Sequence, residues 1–166
     1  MLKKNWSYII IIVIAIVIVT FFYDFLENKS SITKENRFEI EETSLITKIF
    51  LADRNNNTIT LSKRENNWLV NNQFIVRKDA IATLLSTVNK IRIKKPVSKT
   101  AFDNVVKYIA TTGVYVEFFE NDKMIKSYTI GSNTPDHLGT YMLLTGSKRP
   151  FIIHLPSFNG FLSPRY

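Results

Sequence analysis

Apolar residues recur along this chain in three rhythms, and each rhythm predicts a different kind of element. The first is unbroken: Ile9 to Val19 reads IIIIVIAIVIV, without a charge, a glycine or a proline. Backbone amides cannot stay unpaired in hydrocarbon, so a lone apolar run of this kind must be helical there. Trp6 to Tyr23 is about 18 residues, close to what a ~30 Å bilayer core requires. Trp6 and Tyr8 at one end, and Phe21, Phe22 and Tyr23 at the other, suit the headgroup zones. Residues 6–23 are therefore expected to form a transmembrane helix.

The second rhythm is a period of two. After a polar stretch with a short alternation at Phe38 and Ile40, alternation begins in Ser44–Asp53, where Leu45, Ile49 and Leu51 recur. Asparagine-rich turns at Asn55–Asn57, Asn66–Asn67 and Asn71–Asn72 separate it from Thr58–Leu61, Trp68–Val70 and Phe74–Val76. Asparagine tolerates positive φ, so these turns read as hairpin connections of an antiparallel meander. The third rhythm has a period of 3.6. Ala80, Ile81, Leu84, Leu85, Val88 and Ile91 share one face of an amphipathic helix of about 13 residues. Ile91–Val97 alternates again, and its Pro96 suits an edge strand. A second helix is expected from Thr100, where Thr100 and Asp103 resemble a capping box and Gly113 a C-terminal stop. Four further strands follow at Val114–Phe119, Met124–Ile130, Thr140–Leu144 and Phe151–Leu155. This order predicts an α+β fold: a mostly antiparallel sheet with two amphipathic helices on one face, behind an N-terminal transmembrane helix. Two sheet segments, each beside one helix, leave a degenerate internal duplication open.

Lys3 and Lys4 precede the apolar run, whereas Asp24 and Glu27 follow it. The positive-inside rule then puts residues 1–5 in the cytoplasm and everything after Tyr23 outside the cytoplasmic membrane. Residues 24–43 read as a juxtamembrane linker and 44–166 as a periplasmic domain. A cleaved signal peptide would need small residues at an A-x-A-like site, whereas this run exits through Thr20-Phe21-Phe22-Tyr23-Asp24. Retention as an anchor is the expectation. The net charge of +8 raises nucleic acid as a partner, but lysine and arginine are interleaved with glutamate and aspartate, the pattern of a solvated basic surface. No nucleic-acid partner is expected. With no cysteine, disulfides, thiolate metal sites and a cysteine nucleophile are excluded.

The candidate chemistry is sparse. His137 and His154 are the only histidines, and no H-E-x-x-H, G-x-S-x-G, S-x-x-K or glycine-rich phosphate loop occurs. No metal, cofactor or catalysis is expected. The most distinctive stretch is Gly131–Met142, longer than a tight hairpin needs, which gathers Thr134, Asp136, His137, Thr140 and Tyr141. Long loops between strands often carry binding groups. An aspartate beside an imidazole is also suited to acid–base work, and an Asp/Pro/Gly turn that caps its own backbone is the plainer alternative. A basic turn at Arg149-Pro150 follows. The closing segment Pro156–Tyr166 carries Phe158, Phe161 and Tyr166, which either dock on their own sheet or form a partner surface, since aromatics and arginine favour interface cores.

T-P-D-x-x-G-T-Y-M, the Arg149-Pro150 turn, Ile46–Asp53, Trp68-Leu69-Val70 and Phe161–Tyr166, with the lysine-flanked N-terminal run, resemble an uncharacterised group of bacterial proteins of Bacteroidota type. That group is known only as a domain of unknown function. The resemblance implies a cytoplasmic-membrane anchor with a periplasmic domain, and some members are encoded beside gliding-type ABC transporter components. It implies no catalytic residues. Many members look longer, continuing beyond the segment matching Pro164-Arg165-Tyr166, which leaves a complete domain, a natural short form and a trimmed C-terminus all open. The function expected is an accessory or scaffolding subunit of a cell-envelope complex that binds a protein partner without catalysis. The alternative is an envelope glycan- or peptidoglycan-binding domain using the 132–141 loop.

Overall fold

The computed structural model of this chain describes residues 12–20 and 37–166. The chain divides into two compact units, Met1–Glu35 and Asn36–Tyr166. In the first, residues 12–20 form a helix, α1, whose side chains are exposed throughout. Among the described residues no helix is long and apolar enough to cross a membrane. The remainder of the span expected over 6–23 lies outside the described residues.

The second unit is built on one antiparallel sheet. Its strands are β1 (Lys48–Ala52), β2 (Thr58–Arg64), β3 (Asn67–Val70), β4 (Phe74–Ile75), β5 (Arg92–Pro96), β6 (Val114–Glu120), β7 (Lys123–Asn133), β8 (Thr140–Leu144) and β9 (Phe151–His154). Helix α2 spans Lys78–Lys90 and α3 spans Lys99–Thr112. The spatial order is β4-β3-β2-β1-β6-β7-β8-β9-β5. Two four-strand meanders thus run outward, back to back, from the antiparallel β1–β6 pair. The asparagine turns behave as their residue type predicts: Asn56, Asn71, Asn72 and Asn121 all take positive φ, between 48° and 63°. Strand β5 lies at an edge, as Pro96 suggested.

The helices do not share one face of the sheet. Along β8, Met142 and Leu144 point one way, and Tyr141 and Leu143 the other, as strand geometry requires. Ile81, Leu84 and Val88 of α2 pack with Met142, Leu144, Ile49, Val116, Tyr128 and Ile153. Val105 and Ile109 of α3 pack instead with Val97, Ile152, Tyr141 and Leu143. The expectation of two helices on one face is corrected to one helix on each. A helical period shows which side of a helix is apolar; it carries nothing about which side of a sheet receives it.

Three local readings also change. Phe38 and Ile40 are buried in the core without forming a strand, so the last residues of the expected 24–43 linker belong to the folded body. Helix α3 is capped by Ser98 in place of Thr100, and Ser98 makes no side-chain capping bond. Gly113 ends α3 with φ −69°, outside the left-handed region. It is required there because a Cβ would stand 2.4 Å from the Ile109 carbonyl oxygen and 2.6 Å from Thr129 Cγ2.

Candidate functional site

The β7–β8 loop is held by its own side chains. Thr134, almost fully buried, donates its amide to the Gly139 carbonyl at 2.9 Å, and His137 donates its amide to the Thr134 carbonyl at 2.9 Å. Asp136 Oδ1 accepts the Thr134 hydroxyl and, at 3.0 Å, the Leu138 amide. These bonds favour the charged form, the Thr134 hydroxyl most, and hold the Asp136 carboxyl below its ordinary range. His137 takes a left-handed φ of 56° and turns away. Its Nδ1 accepts from Asn133 Nδ2 at 2.6 Å, and its ring lies 5.9 Å from that of Phe161. The two neighbours Asp136 and His137 are thus engaged by different partners and do not form an acid–base pair with each other.

Asp136 instead faces the edge strand. Its Oδ2 lies 4.0 Å from Lys94 Nζ, across a cleft of about 360 Å³. Thr134, Pro135, Asp136 and Tyr141 form one wall, and Lys94, Lys95 and Pro96 of β5 form the other, with Val97, Ser98, Ala101 and Ile152 completing it. The lysine pair arises from a bulge. Along β5 the partners on β9 are Ile93↔Ile153 and then Lys95↔Ile152, so Lys94 is the extra residue. Regular alternation would send Lys94 and Lys95 to opposite faces; two residues set against one bring both to the α3 side. Ser98 opens α3 here, with its Oγ 3.1 Å from Thr100 Oγ1, and no acidic residue occupies the first turn of the helix. His154 closes the end of β9. Burial first, and the Lys94 charge second, lower its pKa below the usual histidine value.

The structure brings Thr134, Asp136 and Tyr141 of the sequence candidates to this cleft and assigns the others elsewhere. Thr140 is fully buried on the opposite face, where its Oγ1 accepts the Leu162 amide at 2.7 Å. Arg149 is exposed in the β8–β9 turn, where its amide and carbonyl bond the Ser147 hydroxyl. The closing aromatics dock on their own chain, one of the two roles left open for them. Arg165 stacks over Phe158 with its guanidinium carbon 4.1 Å from the ring centre. The hydroxyls of Tyr166 and Tyr128 lie 3.0 Å apart. Burial raises the pKa of both phenols, so both are neutral donors and acceptors. Lys94, Lys95 and Ser98 were missed from the sequence. The available signal was the Lys94-Lys95 doublet, which breaks the alternation of Ile91 and Ile93.

A second concavity, also about 360 Å³, lies on the α2 face. Leu51, Ile59, Leu61, Val70, Val76, Ile81 and Leu84 give it an apolar lining that ends at Tyr166. Among the described residues no group of three or more histidine, aspartate or glutamate side chains is arranged to hold a metal ion. No protein-family model, curated protein or solved structure matches this chain.

Proposed function

We propose that this chain is a non-catalytic binding protein of the cell envelope, tethered through the apolar run 6–23, whose folded domain takes a saccharide in the β5–α3 cleft. The cleft carries this reading: it joins an aromatic ring, an apolar floor and several hydroxyl, carboxylate and ammonium groups in one small-molecule-sized space. The apolar face of a sugar ring packs on Tyr141, Val97 and Ile152 while its hydroxyls meet Asp136, Thr134, Ser98 and the lysines. The lysine-flanked N-terminal run supports the tether and a periplasmic orientation of the domain. Retention of the full-length chain on purified peptidoglycan, compared with its Asp136→Ala and Ser98→Ala variants, tests the site. Loss of retention in both is expected; undiminished retention in both rejects the cleft. N-terminal sequencing of the membrane-extracted protein tests the tether, because a mature chain that starts after Tyr23 has no anchor.

A protein-binding accessory subunit is the second reading, favoured by the apolar concavity beside β4. There Phe74 is 70% and Ile75 68% exposed, in a sheet whose other edge is lysine-rich. Periplasmic cross-linking at Phe74 yields a defined adduct under this reading and none under the first.

A further inference from the structure

Resting on the saccharide reading above, we propose that the cleft is specific for an acidic monosaccharide unit, a pyranose ring bearing one carboxylate or phosphate. Four features of the wall point to a negative charge on the ligand. The β5 bulge delivers two consecutive lysines to one mouth, an arrangement that regular alternation forbids. The one carboxylate lining the cleft, Asp136, is already engaged by the Thr134 hydroxyl and the Leu138 amide and sits 4.0 Å from Lys94, too far for a direct hydrogen bond. Lys95 has no carboxylate within salt-bridge distance among the described residues. The cleft therefore carries two positive charges against one negative. The start of α3 adds to this, because Val97, Ser98 and Ala101 line the cleft and the first turn holds neither an acidic residue nor a side-chain cap. The positive end of the α3 dipole lies at the same mouth. The ring half of the ligand follows from the floor: Val97, Ala101, Ile152 and Tyr141 are apolar or aromatic, and a bare anion leaves them unused.

The test is calorimetric titration of the full-length chain with D-glucuronate, glucose 6-phosphate, D-glucose and inorganic phosphate at low ionic strength. At least one acidic sugar binds ten-fold or more tightly than glucose, and whichever acid does so identifies the anionic group. It also binds more tightly than inorganic phosphate. The Lys94→Gln/Lys95→Gln variant binds the acidic sugar only as well as glucose, and keeps its cooperative thermal transition because both side chains are partly or fully exposed. Equal binding of glucose and both acids overturns the acidic specificity and leaves the saccharide reading standing. Phosphate binding as tight as that of glucose 6-phosphate overturns the ring. Binding of none of the four overturns both readings.

Discussion

Asp136 shows how a residue that looks catalytic in sequence is set to work in structure. Its carboxylate organises residues 134–138, accepting two bonds from within the loop and leaving its other oxygen toward Lys94. Asp136→Ala is expected to release the Leu138 amide, and hydrogen exchange at Leu138 reads this as a loss of protection confined to the loop. The pH dependence has a definite sign. A folded-state pKa held below 3.8 favours the ionised form, so this contribution is fully present above that value and lost as pH falls through the depressed pKa. Asp136→Asn therefore flattens the acid limb of the stability profile. His154 reports on the lysine side of the same cleft. Its lowered pKa means that the unfolded chain takes up the proton first, and stability falls as pH drops below 6.5. Replacing Lys94 by glutamine is expected to raise the His154 titration midpoint part of the way back, seen by proton NMR, with the larger burial effect remaining. Much of this wall was legible from the sequence, because a long Asp/Pro/Gly loop advertises itself by composition. The opposite wall was not. A bulge is a property of two paired strands, and the doublet Lys94-Lys95 acquires its meaning only once Ile152 is known to lie opposite both residues.

The two amphipathic helices were legible at the level of elements, and their placement was not. Both carry an apolar stripe at the expected spacing, and both bury it. What distinguishes them is the route by which each enters. Helix α2 leaves β4 at one edge and delivers the chain to β5 at the other, beneath Phe38, Ile46 and Leu162. Helix α3 leaves β5 and returns the chain to the sheet centre at β6 across the opposite face, where Arg54 from the β1–β2 turn bonds the Ile109 carbonyl at 3.2 Å. Neither route is written in the helix itself. The α3 layer is thin: Val97, Val105, Ile109 and Ile152 are its buried members. Truncation of Ile109 to alanine is therefore expected to cost about 2–5 kcal/mol in chemical denaturation, as other buried Ile→Ala changes do. Because Val97, Ala101 and Tyr141 both line the cleft and pack in this layer, the same variant is also expected to weaken ligand binding at temperatures where it remains folded.

At the scale of the whole folded unit, the strand order runs through a meander on either side of the sheet centre. Strands β1 to β4 and β6 to β9 are two four-strand meanders that share an antiparallel centre. The two differ in strand length: β7 is 11 residues long where β2 has 7, and β9 has 4 where β4 has 2. They also differ at the edges. Beyond β9 lies β5, a strand with a bulge, two lysines and a proline, features that discourage edge-to-edge pairing. Beyond β4 lies no strand among the described residues, and Phe74 and Ile75 stand exposed there. Over β1–β3 the apolar concavity of Leu51, Ile59, Leu61 and Val70 is bounded on one side by Ile81 and Leu84 of α2. One edge of the sheet is therefore guarded, while the other presents exposed apolar side chains. Association of this protein with itself or with a partner should begin there. Phe74→Lys/Ile75→Lys is expected to leave folding stability within about 0.5 kcal/mol, since both side chains are already exposed. Any concentration-dependent association of the chain in sedimentation is expected to be lost in this variant. Substitution of Lys94 and Lys95 by glutamine at the opposite edge should leave that association intact, because the bulge and Pro96 still block pairing there; association that tracks the β5 substitutions would reverse the assignment of the two edges.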